Sequence, residues 1–571
     1  MKPLLTSDLN LKFLGITPVL KDETGFLNPQ EIVALSSLAT FKGKSIKNLI
    51  KDIEKKRENL SERIKVILQR SSLRGHASIA TTPAISLTYE GSKFLDSALT
   101  GIVFSSSLVS SGRRTETSPQ DIVFPDKISS NKKAKEIYSK TSERIINFFN
   151  SLLEKGIPKD EASKILQYGI YGTGIIHLPV ESIVGLKREY ESEREWMPEE
   201  IGILLREIEK KLKNLGLDWL YATREAAPRN IYPYPNIFKG PDSSNLTREL
   251  RYKEKLSEGT KLISVDILTT PGLKKKLDNL AKKIGRTFHS LKQIKKDWLR
   301  LIALRQEIFR DYNGALRIRV LSTIPWRIWG EKKRHRTCPQ TIESIYYCVE
   351  RAAKKFNKFK KQIRGGKISK NLVKEIEEVF SIPPSIKRAL AKGGDERSSS
   401  TKQKSELLAE YLLVALWAFE GYQNLLKLKT ESRDSGARWK KRTKSSSLIK
   451  PREAIFLIPR AVKIDVLQEY DLYNLLTGYY PLRLCQTAEE EMRRNTLKEV
   501  LEIKKALTKR GYGWLNKFIV PKCQIVGFCP EEKSCGMILN AVKNYNKKFH
   551  QRMKEELKNK FQENLKKLGR R

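Results

Sequence analysis

The sequence has no long apolar run and few of the side chains that usually bind metals or attack substrates. It contains no stretch of about 18 apolar residues, so it predicts no membrane-spanning helix. Only 5 His, 5 Met and 6 Cys occur among 571 residues. A P-loop, a dinucleotide-binding glycine fingerprint and an HExxH zinc helix are all missing, which argues against those enzyme classes. The polar first residues lack the apolar core of a signal peptide, so we expect a cytoplasmic protein.

Negative charge is also scarce. The 110 Lys and Arg against 65 Asp and Glu give a formal net charge of +45. A small acidic substrate does not require such an excess, whereas a long-range positive field attracts polyanions. Two interpretations stay open: contact with RNA or DNA, and a lysine-rich surface that only keeps the protein soluble.

The cysteines all lie in the second half of the sequence. Cys523, Cys529 and Cys535 are evenly spaced in a polar segment marked by Gly and Pro, and Cys485 precedes them. Because soft thiolates bind zinc and iron–sulfur clusters, these four residues form a candidate metal site. Their spacing is not that of the common CxxC sites, so a disulfide pair and plain thiols are alternatives.

The triplet Arg334-His335-Arg336 is the strongest motif, with Ser344 following after a short spacer. It places two fixed cations beside a titratable ring. Guanidinium groups offer planar forks of N–H donors to phosphate and carbonyl oxygens. The triplet therefore predicts a site for an anion or an electron-rich heterocycle.

This spacing resembles the RHR-x7-S signature of the flavin-dependent thymidylate synthases. The segment from Pro451 to Arg494 is similar to the second conserved block of that family, and Leu482-Arg483 stands where the family has an arginine that binds the pyrimidine. The match is imperfect, because Ile342 replaces a usual glutamate and Tyr346 a usual arginine.

The first half resembles the same family independently. Gly75-His76 is similar to a flavin-contacting Gly-His segment, and Ser111-Gly112-Arg113 to the serine end of the signature. Counting back places residues 101–103, Gly-Ile-Val, where the triplet should stand. The sequence thus predicts an internal duplication whose first copy has lost its triplet.

The resemblance implies the chemistry. Reduced FAD and methylenetetrahydrofolate, with NADPH or another reductant, would convert dUMP to dTMP. The implied roles are catalysis by Arg336 and Arg483, flavin binding by Arg334, His335 and His76, and nucleotide binding by Ser344, Ser111 and Arg113.

The predicted fold is α+β, with two tandem α/β domains of this family forming a pseudo-dimer between helical extensions at both ends. The predicted parts are a first copy (1–240), a linker (241–270), a second copy (271–540) with a basic, Ser-rich insertion at about 351–450, and a basic C-terminal helix (541–571). Because the family assembles its sites between subunits of a homotetramer, we expect a homodimer that completes a pseudo-tetramer.

Two other functions remain open. One is a catalytically inactive relative that binds RNA, DNA or a ribonucleoprotein, supported by the net charge, the basic insertion and the C-terminal helix. The other is a flavin-dependent uridine methylase that acts on RNA. Fold alone does not choose among them.

Local patterns predict several elements. Residues 1–70 carry apolar residues at helical spacing, with Asn28 before Pro29 as a helix start. A helix is expected from Lys133 to Gly156, and a strand from Ala315 that leads to the triplet.

Overall fold

A computed structural model of the protein describes residues 4–22, 25–110, 116–228, 235–242, 245–256, 259–287, 308–391, 399–428, 448–542 and 545–569. The chain forms two compact units. The first comprises Met1–Asn245, Pro325–Arg334 and Ile342–Ile464, and the second Leu246–Ile324, His335–Thr341 and Asp465–Arg571. These units group residues by contact rather than by copy, so the division of the sequence into two copies stays a prediction.

The strands, in chain order, are β1 (Asn10–Thr17), β2 (Leu20–Asp22), β3 (Gly25–Leu27), β4 (Ala84–Ser92), β5 (Ser106–Val109), β6 (Tyr171–Pro179), β7 (Gly259–Ile267), β8 (Leu316–Pro325), β9 (Gln340–Ile342) and β10 (Lys463–Tyr470). The longer helices are Pro29–Lys42, Ile46–Lys55, Leu60–Arg70, Lys132–Glu154, Val180–Ser192, Glu199–Lys211, Asp218–Ala226, Asn245–Lys253, Pro271–Thr287, Ile345–Lys358, Lys370–Glu377, Pro384–Ala391, Ser399–Lys427, Glu490–Lys509 and Lys547–Lys567. The shorter helices are Ser78–Thr81, Lys93–Leu99, Asp126–Ser129, Lys159–Ala162, Trp326–Lys332, Lys360–Arg364, Pro451–Ala454, Tyr480–Arg483 and Lys522–Val526.

The two larger sheets have the same strand order. The first sheet runs β1-β4-β6-β5 and the second runs β7-β8-β10-β9, so each places its strands first, second, fourth and third along the chain. Both first pairings are antiparallel and both carry an irregularity, between Phe13 and Gly15 in β1 and between Leu262 and Ser264 in β7. The predicted mixture of helices and sheet is confirmed.

A short helix follows the second strand of each sheet. Lys93–Leu99 comes directly after β4, and Trp326–Lys332 comes directly after β8. Residues 101–103 then lie between the first of these helices and β5, as residues 334–336 lie between the second helix and β9. Residues 101–103 and 334–336 therefore occupy the same place in the connectivity of the two sheets.

The core of the first unit is aromatic beneath these elements. Phe94 stacks against Phe456 with ring centroids 4.2 Å apart, and Tyr168 against Trp326 at 4.3 Å. All but Tyr168 are nearly inaccessible to solvent. Large flat side chains that interlock in this way bury much apolar area, which fixes the helix after β4 on its strand.

Several local predictions are confirmed. Asn28 accepts a hydrogen bond from the Glu31 N–H at 3.1 Å and caps the helix that begins at Pro29. The helix Lys132–Glu154 ends just before Gly156, which adopts a left-handed φ of 75°. The expected strand after Ala315 is β8.

Two predictions from composition need correction. Residues 1–70 are not helical throughout, because Asn10–Thr17 forms the edge strand β1, whose side chains are mostly exposed and thus give little periodic signal. The stretch 241–270, predicted as a linker, contains the helix Asn245–Lys253 and the strand β7. Most of the Ser-rich part of the insertion lies outside the described residues.

Within the part of the chain that the structure describes, no helix combines the length and apolar character needed to cross a bilayer.

A buried carboxyl group in the first unit makes its stability depend on pH. Glu200 accepts from the Ser92 N–H at 2.7 Å and from the Ser92 hydroxyl, and burial raises its pKa from 4.5 to about 7. The pKa of Glu200 is higher in the folded protein than in the unfolded protein. The free energy of unfolding is therefore unaffected by this difference below about pH 4.5, where Glu200 is protonated in both states. As the pH rises towards 7, the free energy of unfolding falls by about 3 kcal/mol in total.

We therefore expect the variant Glu200→Gln to gain stability relative to the native protein as the pH rises from 4.5 to 7. Urea unfolding of both proteins at stepped pH measures this difference. A difference in unfolding free energy that does not change with pH would contradict the assignment.

Candidate functional site

His335 and Arg483, far apart in the sequence, meet in the second unit. The Arg483 Nε–H donates to His335 Nε2 at 2.9 Å. Because Nε2 accepts this bond, the ring is neutral and carries its proton on Nδ1. Both side chains are half-buried. The contact holds the guanidinium plane in one orientation, which matters for a group that recognises planar partners.

Three tyrosines support this pair, and we call Tyr470, Tyr479 and Tyr480 the tyrosine cluster. The Tyr479 ring meets the His335 ring edge-on, with centroids 5.0 Å apart. The three tyrosine rings lie 4.8–5.0 Å from one another and are fully buried. The Arg483 backbone N–H also donates to the Tyr479 carbonyl at 3.0 Å. The tyrosine cluster therefore contacts the backbone of Arg483 as well as the side chain of His335.

Glu499 anchors the tyrosine cluster from the helix Glu490–Lys509. Its fully buried carboxylate accepts from Asn495 Nδ2 at 2.8 Å, from Ser322 Oγ at 3.1 Å and from Tyr480 Oη at 3.2 Å. Tyr470 Oη lies 3.3 Å from it. Burial, with the Glu499 charge, raises the pKa values of Tyr470 and Tyr480 well above 10, so both phenols stay protonated donors.

The loop after the triplet is tied to the end of β10. Thr337 Oγ1 donates to Asn474 Oδ1 at 3.1 Å, and Asn474 Nδ2 donates back to the Thr337 carbonyl at 3.3 Å. Asn474 is held in turn by Asp471, at 2.8 Å. It opens a π-helical turn, Asn474–Gly478, a rare element that is frequent at functional sites.

The two arginines of the triplet are both exposed. Arg336 belongs to the second unit with His335, whereas Arg334 belongs to the first. Arg334 follows Lys333, whose ammonium is buried, donates to the Ser97 carbonyl and lies 4.4 Å from the Trp329 ring centroid. Burial lowers the pKa of Lys333 well below 10.5.

The other predicted site residues lie in the first unit or outside the described residues. Ser344 is fully buried, and its hydroxyl donates to the Lys239 carbonyl at 2.6 Å. His76 is exposed and follows Gly75, which has a left-handed φ of 96°. Ser111 and Arg113 lie outside the described residues. The one hydroxyl proton of Ser344 is therefore already donated within the protein.

The four cysteines proposed as metal ligands line one pocket of the second unit, together with Pro481 and Leu482 beside Arg483. They form no disulfide. In the described part of the chain, no three His, Cys, Asp or Glu side chains are arranged as a ready-made metal site. The ligand role of these cysteines therefore stays a prediction.

The basic start of the insertion is partly paired with acidic residues within the first unit. Lys355 and Lys358 lie 2.9 and 2.7 Å from Glu375. Lys360 and Arg364 lie 2.7 and 2.9 Å from Glu420. These four of the nine basic residues in 351–370 thus pair with two acidic residues that lie elsewhere in the chain.

No sequence pattern predicts the tyrosine cluster, Glu499 or Asn474 as part of the site. The adjacent Tyr479 and Tyr480, directly before the predicted Arg483, were the available signal. Their role depends on the Glu499 carboxylate, which lies on the helix Glu490–Lys509. No local sequence pattern shows that these tyrosines contact it.

Comparison with known proteins gives three findings. Residues 317–507 match the family described as "Thymidylate synthase complementing protein". A search of curated protein sequences finds no match. Two solved structures of the UMP/dUMP methylase PolB from Streptomyces cacaoi are similar. The structure bound with 5-Br dUMP has 12% sequence identity and a TM-score of 0.31, and the match covers 39% of this chain and 99% of that chain. The structure bound with 5-Br UMP has 13% sequence identity and a TM-score of 0.27, and the match covers 40% of this chain and 100% of that chain.

Proposed function

We propose that this protein methylates dUMP reductively to dTMP, because residues 317–507 match the thymidylate synthase complementing protein family, the flavin-dependent thymidylate synthases. The observation that carries the proposal is the hydrogen bond between Arg483 and His335 at 2.9 Å. This bond joins His335 of the triplet to Arg483 of the segment that resembles the second conserved block, and both residues contact the tyrosine cluster.

The arginines supply what the pyrimidine needs. Uracil is a poor electrophile at C6, and a cation at its carbonyl oxygens stabilises the enolate charge that develops there. Arg483 is held in plane by His335, so its guanidinium is oriented before the substrate binds. Arg336, exposed on the same loop, is the second cation that we assign to the pyrimidine or its phosphate.

The donor set also fits a flavin. A half-buried imidazole and guanidinium groups beside an aromatic wall suit the carbonyl edge of an isoalloxazine ring, so His335 is the flavin contact in the second unit. Reduced FAD would supply the hydride, methylenetetrahydrofolate the carbon, and NADPH or another donor the electrons. The flavin roles of Arg334 and His76, and the nucleotide roles of Ser344, Ser111 and Arg113, stay predictions.

We also infer that the chain arose by internal duplication. The support is the shared strand order, the shared irregularity in the first pairing, and the shared position of residues 101–103 and 334–336. Gly101 adopts a left-handed φ of 93°, a conformation that an arginine in its place would find strained. A dimer of such chains would form the proposed pseudo-tetramer.

The test is a turnover assay with full-length protein, FAD, dUMP, methylenetetrahydrofolate and a reductant, followed by mass spectrometry of the nucleotides. We expect dTMP that appears only when FAD is present. A parallel reaction replaces dUMP with a uridine-containing RNA, and methylation of the RNA alone would move the proposal to the RNA methylase. If neither substrate is methylated, the enzymatic proposal fails.

A binding function is the second candidate, favoured by the C-terminal helix. Lys547–Lys567 exposes a run of cations: Lys547, Lys548, Arg552, Lys558, Lys560, Lys566 and Lys567. Phosphate contacts made by such a helix give affinity that falls steeply with salt. Retention on RNA at rising salt, with and without residues 547–571, measures this contribution.

A further inference from the structure

We propose that Cys485, Cys523, Cys529 and Cys535 together hold one zinc ion in the second unit. This site lies outside the residues that we assign to dUMP and flavin. The four cysteines line one pocket, hydrogen bonds brace their loop, and the core around them is small.

The four thiols come from separate parts of the fold. Cys485 follows the short helix Tyr480–Arg483, Cys523 lies in the helix Lys522–Val526, and Cys529 and Cys535 lie in the loop after it. All four line one pocket. Four soft sulfur donors are a complete shell for a structural zinc ion, which takes tetrahedral thiolate sites without an open position.

A chain of hydrogen bonds braces the loop between Cys529 and Cys535. The Cys529 N–H donates to Tyr545 Oη at 3.1 Å, and Tyr545 Oη donates to His550 Nδ1 at 2.7 Å. The opposite nitrogen of His550 then carries the proton and donates to the Glu532 carbonyl at 3.2 Å. Outer bonds of this kind orient the backbone that presents metal ligands.

The segment around the thiols has little else to hold it. Its described regular structure before the last helix consists of Lys522–Val526 and the turn Met537–Asn540. Its core is one small cluster, made of Cys523, Phe528, Cys529, Ile538, Val542, Tyr545 and Met553. Small loop-rich units with so few apolar side chains usually need a metal or disulfides to stay folded.

Zinc binding would draw the thiols inward. Sulfur lies about 2.3 Å from zinc in such sites, and the thiols do not yet have that arrangement. Cys523 and Cys529 are buried, whereas Cys535 is exposed beside Gly536, which has a left-handed φ of 83°. Cys535 is therefore the ligand that closes the shell, and binding releases the thiol protons.

The ion would join the loop that carries Arg483 to the C-terminal segment, since Cys485 lies two residues after Arg483. This consequence rests on the proposed function. Zinc removal by a chelator is then expected to weaken dUMP binding, whereas Arg483→Ala should weaken dUMP binding and leave the zinc content unchanged. The two proposals can therefore fail separately.

The test is the metal content of the purified full-length protein, measured by inductively coupled plasma mass spectrometry. We expect one zinc per chain, lost in Cys523→Ser and kept in Cys348→Ser, a buried cysteine of the first unit whose thiol contacts Glu343. Protein refolded with cobalt should show the intense sulfur-to-cobalt charge-transfer bands and the visible bands of a tetrahedral site.

The cobalt spectrum of the native sequence keeps the test decisive if Cys523→Ser does not fold. A protein without zinc and without cobalt–thiolate bands overturns the proposal. So does a disulfide among the four cysteines, seen as a loss of two mass units per bridge. Stoichiometric iron with acid-labile sulfide would overturn it in favour of an iron–sulfur cluster.

Discussion

Replacing Arg483 by alanine is expected to slow dTMP formation by about 100- to 1,000-fold, the usual cost of removing one preorganised donor from a developing negative charge. The arginine is oriented by His335 before the substrate arrives, so its loss removes both the charge and the orientation. Steady-state kcat/KM for dUMP, measured with saturating FAD, checks the expectation.

Two further variants separate charge from geometry. Arg483→Lys keeps the cation but loses the fork that bonds to His335, so we expect an intermediate rate. Arg494 is an exposed arginine that pairs with Glu490 on its own helix, Glu490–Lys509. Arg494→Ala should therefore leave the rate of dTMP formation unchanged. Equal kcat/KM in the native protein and Arg483→Ala would remove Arg483 from the site.

Replacing Glu499 by alanine is expected to lower the free energy of unfolding by at least ~3 kcal/mol, because each buried donor left without an acceptor costs about 1–3 kcal/mol. Asn495, Ser322 and Tyr480 would each lose a partner. Urea unfolding gives the magnitude. Hydrogen exchange with mass spectrometry should localise the loss of protection to β8, β10 and the helix Glu490–Lys509.

Glu499→Ala should also disturb the position of Arg483, because Glu499 supports the tyrosine cluster and the cluster contacts Arg483. Glu499→Gln, which keeps the shape and one acceptor, should lose less stability than alanine. Lys505→Ala, at an exposed position of the same helix, is the control. Native-like stability of Glu499→Ala would show that the carboxylate is not the anchor described here.

His335 and Arg483 can be singled out from the sequence because each lies in a local motif that resembles the family. The structure brings these two residues to 2.9 Å. Helix starts were also predictable, since a cap such as Asn28 bonds within its own first turn. The strand β8 was found from its run of β-branched and apolar residues.

Other features depend on partners that are distant in the sequence. β1 is a strand because it pairs with β4 along most of its length, although its own side chains are mostly exposed. Ser344 was predicted as a nucleotide ligand, and its bond to the Lys239 carbonyl follows from tertiary packing. The charge of residues 351–370 is visible in the sequence, but the pairing of four of its cations with Glu375 and Glu420 is not.

The FAD-dependent conversion of dUMP by the full-length protein tests the proposed function most directly. We expect dTMP in the presence of FAD, methylenetetrahydrofolate and reductant, none when FAD is omitted, and about 100- to 1,000-fold slower formation when Arg483 is alanine. Protein that is folded and loaded with FAD, yet makes no dTMP and binds no dUMP, would contradict it.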